Sequence, residues 1–191
     1  MIFGYVLLTD WSARDGHPLT AESALKATAT TLSPWIVMTA ALDPFRTLTR
    51  EVPTLAYLQS PAPMLYDIAL ELTLQPEGTA EAVISRTTTT EAAWSAAQML
   101  AQQTCGGCAM TSGDLLGSGT LSGAKKSSLA SLIELSWNGA APFAVPGGTR
   151  SFAEDNDTLT LRGAAQGDGF TIGFGACSTK VLPALADPYA R

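Results

Sequence analysis

Hydrophobic and polar side chains alternate most regularly between residues 66 and 75. Tyr66 and every second residue after it, up to Leu74, are apolar, and the positions between them are polar or alanine. A period of two residues is typical of a β-strand with one buried face. Residues 76–78 (Pro-Glu-Gly) predict a turn, and residues 80–86 are predicted to pair with the first strand as a hairpin.

A helical pattern follows this hairpin. Thr88 has Glu91 three residues later, the spacing of a capping box at a helix start. The segment up to Gln103 is rich in alanine and carries apolar residues at helical spacing. Gly106 and Gly107 are typical of a helix end. The sequence therefore predicts one principal helix between Thr88 and Gly106.

Short apolar runs separated by turn residues fill most of the remaining chain. An apolar run opens the sequence, and residues 42–63 are rich in proline, which predicts a long surface excursion. Further strands are predicted over residues 114–120, 131–137, 143–145, 158–162 and 170–175. We found no internal repeat and no linker. The prediction is a mainly β chain with one principal helix, of the α+β class, in a single domain over residues 1–191.

Composition narrows the class of protein. The chain has 191 residues, of which 46% are hydrophobic and 15% charged, a balance that excludes an intrinsically disordered segment. Eleven Lys and Arg against 17 Asp and Glu give a net charge of −6 without a basic stripe, so nucleic acid is not an expected partner. No apolar run approaches the ~20 residues that span a bilayer, so a membrane is not expected either. Three cysteines, an odd number, favour a reducing, cytoplasmic location.

Two glycine-containing motifs carry candidate chemistry. Cys105 and Cys108 form a CxxC pattern, which occurs in redox sites and zinc sites, but here it closes a helix, so we interpret both as small buried thiols. Residues 117–123 resemble a phosphate-binding loop, yet the lysines that follow are out of register, so nucleotide binding is not expected. The amides of this turn and the Thr120 hydroxyl could hold a carboxylate. An ordinary turn is the alternative.

Polar residues near the start of the chain supply further candidates. His17 is the single histidine and thus the one candidate for a histidine base; an exposed loop residue is the alternative. Asp10 follows an apolar strand, and Arg14 comes four residues later. This arrangement suits a ligand for a hard metal ion beside an anion clamp. A helix-capping aspartate and a surface arginine are the alternative reading.

Five collinear segments resemble the fumarylacetoacetases, the last enzymes of tyrosine and phenylalanine breakdown. The resemblance extends over essentially the whole chain, through residues 2–15 (IFGYVLLTDWSARD), 30–35 (TTLSPW), 113–123 (GDLLGSGTLSG), 132–137 (LIELSW), and 166–175 (QGDGFTIGFG) with 180–185 (KVLPAL). It implies a mixed β-roll fold, usually as a homodimer, and a metal-dependent hydrolase that cleaves a carbon–carbon bond of a 1,3-diketo acid. In that family the substrate chelates a bound Ca²⁺ or Mg²⁺ ion, and a histidine that is oriented by a glutamate activates water.

The resemblance also implies roles for single residues around the metal. Asp10 matches a metal-ligating aspartate. Lys26 and Thr30 match the lysine and threonine of a second, Mg²⁺-associated position, and Lys26 also matches a group that stabilises the carbanion. Metal ligation is therefore expected at Asp10, Lys26 and Thr30.

Four residues match positions at the substrate. Arg14 matches an active-site arginine that orients or neutralises an anionic substrate. Thr120 matches a substrate-binding threonine, and Glu134 matches the carboxylate that orients the catalytic histidine. His17 stands where the family has a substrate-binding glutamine.

The match leaves three functional hypotheses. In the family the catalytic histidine and further acidic metal ligands precede the strand that opens this sequence, so we expect the chain to correspond to a C-terminal, N-terminally truncated portion. The first hypothesis is an active hydrolase of fumarylacetoacetate or an acylpyruvate. The second is a tautomerase, decarboxylase or cyclase of a diketone with His17 as base. The third is a non-catalytic partner of a longer homologue.

Overall fold

The computed structural model describes residues 2–14, 28–48, 54–59 and 64–186. Strands are the main element, in line with the predicted α+β class. The strands are β1 (Gly4–Tyr5), β2 (Leu8–Trp11), β3 (Ala29–Leu32), β4 (Val37–Met38), β5 (Arg46–Thr47), β6 (Leu65–Tyr66), β7 (Ala69–Gln75), β8 (Ala82–Thr88), β9 (Phe143–Val145), β10 (Gly148–Arg150), β11 (Thr158–Gln166) and β12 (Thr171–Lys180). The α-helices are α1 (Thr39–Leu42), α2 (Ala96–Cys105) and α3 (Leu132–Leu135).

The largest sheet has four strands in the order β12-β11-β7-β8, all antiparallel. The predicted hairpin over residues 66–86 is its β7–β8 pair, displaced by about two residues at its second strand. The alternating strand is interrupted at Asp67 and Ile68, so that Tyr66 belongs to the separate β5–β6 ladder. Three further two-stranded ladders, β1–β4, β2–β3 and β9–β10, surround the sheet.

One face of the large sheet forms the core. Leu74 pairs with Leu159 and Leu72 with Leu161, so these side chains share a face because alternate residues point the same way. They pack with Val145, Phe143 and Trp11 in one cluster. A second cluster contains residues of β11 and β12 together with residues in and between the strands β1 to β6. Its members are Leu7, Val37, Leu42, Phe45, Tyr66, Ile68, Ala165, Phe174 and Cys177.

The β2–β3 hairpin lies against this apolar face. A Cβ added to Gly163 of β11 would lie 2.7 Å from Leu7 Cδ2, so the hairpin approaches the sheet closely where a residue has no side chain. The opposite face of the sheet is polar. Arg162 Nη1 donates to Glu81 Oε1 (2.8 Å), and Arg86 forms an ion pair with Glu71 (2.8 Å).

The principal helix begins later than the sequence predicted. Thr88 is the last residue of β8, and its hydroxyl accepts from Thr90 N to cap a single 3₁₀ turn, Thr89–Glu91. The capping box belongs to Ser95: its hydroxyl accepts from Gln98 N, and Gln98 Oε1 accepts from Ser95 N. The predicted end was right, since Gly106 is the C-cap and Gly107 has φ +86°.

Three other sequence predictions were wrong. Residues 114–120 form no strand, because glycines divide the segment and Gly119 takes a φ of +73°. Residues 131–137 form helix α3 and a turn, because Ser131 caps a short helix. The stretch from residue 42 is not wholly a surface excursion: Leu42 and Phe45 are buried in the core, beside the 3₁₀ helix Asp43–Phe45. Residues 49–53 and 60–63 of that stretch lie outside the described part.

Candidate active site

Asp10 and Thr30 face each other across the β2–β3 hairpin. Their Cα atoms are register partners in the antiparallel ladder, and both residues are exposed. Side chains at directly opposed positions have Cβ atoms about 4.5–5.5 Å apart. The carboxylate and the hydroxyl therefore lie on one outward face of the hairpin. The capping interpretation of Asp10 is wrong, because Asp10 lies within β2 and the described residues 11–14 are not helical.

The inward face of the same hairpin is fixed by a small polar cluster. The buried Cys177 Sγ donates to Thr31 Oγ1 (3.5 Å) and lies 3.7 Å from Thr9 Oγ1. Trp11 Nε1 also donates to Thr31 Oγ1, at 3.1 Å. Because neighbouring strand residues point to opposite faces, fixing Thr9, Trp11 and Thr31 inward holds Asp10 and Thr30 outward.

Arg14 follows the hairpin strand at an exposed position. Its Nε donates to Ser12 Oγ at 3.0 Å, and the two residues are two positions apart in the sequence. This bond uses one donor of the guanidinium, whose fork has five. The remaining donors suit a carboxylate, which a guanidinium can bind through two parallel hydrogen bonds.

Glu134 lies on helix α3 and is half-buried. Its Oε2 accepts from Ser122 Oγ (2.7 Å) and from Ser131 Oγ (2.5 Å). Ser131 is the N-cap of α3, and Ser122 lies in the glycine-rich segment, residues 113–123. One carboxylate oxygen therefore joins the helix to that segment. The alternative reading of Glu134 as an outward-facing strand residue is wrong, because the residue is neither in a strand nor fully exposed.

Thr120 lies in the glycine-rich segment, next to the point where this segment attaches to the large sheet. Leu121 O accepts from Thr87 Oγ1 of β8 at 2.8 Å, and Gly123 N donates to Ser128 O at 2.9 Å. The Thr120 side chain itself is exposed. The segment is thus an anchored loop with an exposed hydroxyl beside its anchor.

Near its start the segment forms a local turn between Thr111 and Asp114. The carboxylate of Asp114 accepts from Thr111 N (2.7 Å) and from Thr111 Oγ1 (2.8 Å). These hydrogen bonds hold the pKa of the Asp114 carboxyl below its ordinary value. These bonds form a local turn at the start of the loop that carries Thr120, while the other end of the loop is attached to β8.

Oxygen ligands are the chemistry that a calcium or magnesium ion prefers, and Asp10 and Thr30 supply them. Ca²⁺ takes about six to eight oxygen atoms, more than two side chains provide. Within residues 2–14, 28–48, 54–59 and 64–186, no group of three or more His, Cys, Asp or Glu side chains could hold a metal ion. The described donors fit a hard cation in kind and would supply only part of its ligands.

The structure joins the predicted residues in two places. Asp10 pairs with Thr30, and Glu134 is bonded to the loop that carries Thr120. Among the hydrogen bonds of the described residues, none connects these two places directly. His17 and Lys26 lie outside the described residues, so their predicted roles stay predictions.

Two hydroxyl residues at this site were missed from the sequence, Ser122 and Ser131. Ser131 has Glu134 three residues later, which is the capping-box spacing. This signal could have identified both the short helix and the partner of Glu134. Ser122 carries no comparable signal, because its contact with Glu134 depends on the path of the loop.

Cys105 and Cys108 differ from the interpretation as buried thiols. They do lie at the end of a helix, but both are exposed. Cys177 is the buried one. All three are free thiols.

Comparison with known proteins shows one family across the chain. The family described as "Fumarylacetoacetate (FAA) hydrolase C-terminal" matches residues 1–182. Fumarylacetoacetase of Arabidopsis thaliana is 42% identical over 190 residues, which are 95% of this chain and 45% of that protein. Fumarylacetoacetase of Caenorhabditis elegans is 42% identical over 192 residues (96% and 46%), and that of Homo sapiens is 41% identical over 193 residues (96% and 46%). The chain thus spans slightly less than half the length of these relatives.

Proposed function

Because the chain belongs to the fumarylacetoacetate hydrolase C-terminal family, we propose that it acts as a metal-dependent hydrolase of a 1,3-diketo acid, of the fumarylacetoacetate or acylpyruvate type. The cross-strand pair of Asp10 and Thr30 carries the proposal. An exposed carboxylate and an exposed hydroxyl at one register position give two oxygen ligands with a fixed separation. The named relatives, fumarylacetoacetases, support the choice of substrate class.

In this proposal Asp10 would supply a ligand to a Ca²⁺ or Mg²⁺ ion, and Thr30, opposite Asp10 in the ladder, would belong with Lys26 to the adjoining, Mg²⁺-associated position. When bound, the ion supplies Lewis acidity and a template that orients the two keto oxygens of the substrate. The ladder of β2 and β3 keeps the two ligands together, and the contacts of Cys177 and Trp11 with Thr31 keep them on the outward face.

Arg14 and Thr120 bind the anionic substrate. The Arg14 guanidinium pairs with a substrate carboxylate, and the Thr120 hydroxyl with neighbouring loop amides donates to a second oxygen. Donors fixed before the reaction also stabilise the negative charge that develops on the attacked carbonyl oxygen. The hydrogen bond from Thr87 Oγ1 of β8 to Leu121 O attaches this loop to the large sheet.

Glu134 acts as a positioning residue for the imidazole that activates water. Within the described residues both of its side-chain contacts fall on Oε2, so Oε1 is the oxygen available to an imidazole N–H. The imidazole takes a proton from water, and the hydroxide adds to the carbonyl carbon. The carbon–carbon bond then breaks toward a carbanion, which Lys26 stabilises and which is protonated to give a ketone and a carboxylic acid. His17, the single histidine, is the candidate imidazole within this chain.

We propose further that residues 1–191 form one catalytic domain that works as a homodimer in the cytoplasm. Exposed apolar side chains on and beside the β1–β4 ladder, among them Phe3, Trp35 and Met38, support a partner surface. Three free cysteines support a reducing compartment. No helix in the described part of the chain is both long and apolar enough to cross a bilayer.

The test is hydrolysis of fumarylacetoacetate and of an acylpyruvate by the 191-residue chain, with Ca²⁺ or Mg²⁺ and after chelation. We expect hydrolysis that chelation abolishes and either ion restores. Asp10→Asn should lose calorimetric Ca²⁺ binding and hydrolysis together. The matched control is Asp155→Asn, an exposed aspartate before β11, which should keep both. His17→Ala reports whether His17 supplies the imidazole.

Two results would refute the proposal. One is the absence of metal-dependent hydrolysis under conditions in which a full-length fumarylacetoacetase converts the same substrates. The other is unchanged ion binding in Asp10→Asn. Restoration of hydrolysis only on mixing with a longer homologue would favour the non-catalytic partner hypothesis instead.

A further inference from the structure

Two exposed thiols, separated by two glycines, lie at the end of helix α2. Cys105 is the last helical residue, and Cys108 follows after Gly106 and Gly107. Both cysteines are exposed, whereas Cys177 is 2% exposed and engaged with Thr9 and Thr31. The chain therefore carries one accessible thiol pair and one inaccessible thiol. Neither member of the pair has a role in the proposed hydrolysis.

The backbone between the two thiols is a turn. Gly106 has φ −86° and ψ 8°, Gly107 has φ +86°, and Gly107 N donates to Thr104 O at 2.9 Å. Residues three apart in a helical or β-turn have Cα atoms within about 7 Å. A disulfide needs a Cα separation of about 4.4–6.8 Å. The hydrogen bond closes residues 104–107, and only the two glycines separate the cysteines, so the backbone angles at Gly106 and Gly107 set the spacing that the disulfide needs.

The surroundings of the turn leave room for this bond. A Cβ added to Gly106 or Gly107 would meet nothing within 4 Å, so the two glycines are uncovered, whereas the Cys105 thiol lies close to the Tyr57 side chain. Cys105 Sγ donates to Gln102 O (3.1 Å), and Cys108 Sγ accepts from Gln103 Nε2 (3.6 Å). Cys108 Sγ also donates to Ala109 O at 3.9 Å. The two contacts of Cys108 Sγ are long, and a thiol is a weak hydrogen-bonding group.

The helix that carries the pair is itself held firmly. Gln98 Nε2 donates to Leu58 O (2.7 Å), and the Tyr57 hydroxyl donates to Gln102 Oε1 (2.7 Å). The capping box at Ser95 fixes the other end of the helix. Closing a bond across the turn therefore leaves the helix in place and moves the Cys105 side chain, the two glycines and Cys108.

We propose that Cys105 and Cys108 form a thiol–disulfide exchange site that takes a low-molecular-weight disulfide, such as oxidised glutathione, and closes an internal disulfide. One thiolate attacks the small disulfide and forms a mixed disulfide, which releases one small thiol. The second protein thiolate then attacks the protein sulfur of that mixed disulfide and releases the other small thiol. Two protein thiols are oxidised, and one small disulfide is reduced to two thiols.

The test uses the full 191-residue chain and oxidised glutathione, followed by acid quenching, alkylation under native conditions and intact mass with peptide mapping. We expect wild-type protein to lose two hydrogen atoms and to show one link between Cys105 and Cys108, reversed by dithiothreitol. Cys177 should become alkylated only after unfolding. Cys177→Ser should react as the wild type does.

Single variants separate a pair from two independent thiols. Cys105→Ser and Cys108→Ser should each stop at one stable glutathione adduct, because no second thiol is left to resolve it. Both substitutions are at exposed positions, and far-UV circular dichroism checks the fold of each. A wild-type protein that keeps glutathione adducts without an internal bond, or a link that includes Cys177, would overturn the proposal. Hydrolysis is measured separately, so its failure leaves this result unaffected.

Discussion

Substitution of Asp157 by asparagine should destabilise the fold more than any single change at the surface. Asp157 is fully buried between β10 and β11, where Arg150 donates from Nε to Oδ2 (2.8 Å) and from Nη2 to Oδ1 (3.0 Å). Glu154 N also donates to Oδ2, at 3.0 Å. The hydrogen bond with Asp157 raises the pKa of the Arg150 guanidinium. Three donors thus converge on one carboxylate.

The cost of the change follows from these three donors. An asparagine side chain offers one acceptor oxygen and an NH₂ group, so at least one donor loses its partner and the Arg150 charge keeps only its longer ion pair with the exposed Glu154 (3.4 Å). Removing one member of a buried ion pair costs about 3–5 kcal/mol. A chain of this size loses roughly 2–4 °C in Tm per kcal/mol, which predicts a Tm lower by roughly 6–20 °C.

Urea unfolding monitored by tryptophan fluorescence measures this cost, since the chain has four tryptophans. We expect a lower midpoint with an unchanged slope for Asp157→Asn. Asp155→Asn, two residues earlier and exposed, should lie within about 0.5 kcal/mol of wild type. If Asp157→Asn also unfolded within about 0.5 kcal/mol of wild type, the assignment of Arg150–Asp157 as a net stabilising pair would be refuted.

Three further changes have defined outcomes. Burial raises the pKa of Tyr5 to about 12 from 10.0, so the free energy of unfolding should fall between about pH 10 and pH 12. In urea titrations across that window, the free energy of unfolding of Tyr5→Phe should fall less steeply than that of the wild type. Gly107→Ala should cost roughly 1–2 kcal/mol at φ +86°, whereas Gly106→Ala should be neutral or stabilise by up to about 1 kcal/mol; the opposite order would contradict the turn geometry. Gly163→Ala places a Cβ 2.7 Å from Leu7 Cδ2 and should cost roughly 1–3 kcal/mol by the same assay; an unchanged midpoint would count against the close packing.

Long alternating segments could be predicted from the sequence because their pattern repeats many times. The strands β7, β8, β11 and β12 each have seven or more residues, and in β7 the apolar residues Leu70, Leu72 and Leu74 share one face. The predicted segments fall on all four strands, although residues 158–162 and 170–175 cover only parts of β11 and β12. Strand length in these cases is set by pairing with neighbours, which a local pattern does not contain.

Short elements were predicted less well, since one capping contact decides them. Thr88, Ser95 and Ser131 each have Glu or Gln three residues later. The first caps a 3₁₀ turn, the second begins the ten-residue helix α2, and the third begins the four-residue helix α3. Thr88 is already committed to pairing in β8, opposite Ala69, and this long-range contact prevents it from starting the α-helix.

The candidate site also has one part that could be predicted from the sequence and one part that could not. Asp10 and Thr30 were found through a resemblance of sequence, and the ladder register explains why two residues so distant in sequence lie together. The link from Glu134 to Ser122 could not be predicted, because it depends on how the glycine-rich loop returns across β8.

The β2–β3 ladder also has an entropic consequence for ligand binding. Asp10 and Thr30 reach their relative positions when the hairpin folds, before any ion or substrate arrives, so little ordering of these ligands remains to oppose binding. A one-residue slip of β2 against β3 would place the two side chains on opposite faces of the hairpin. Affinity at this site should therefore follow the population of correctly paired hairpin, and a change at Cys177 or Trp11 could weaken binding without touching the ligand.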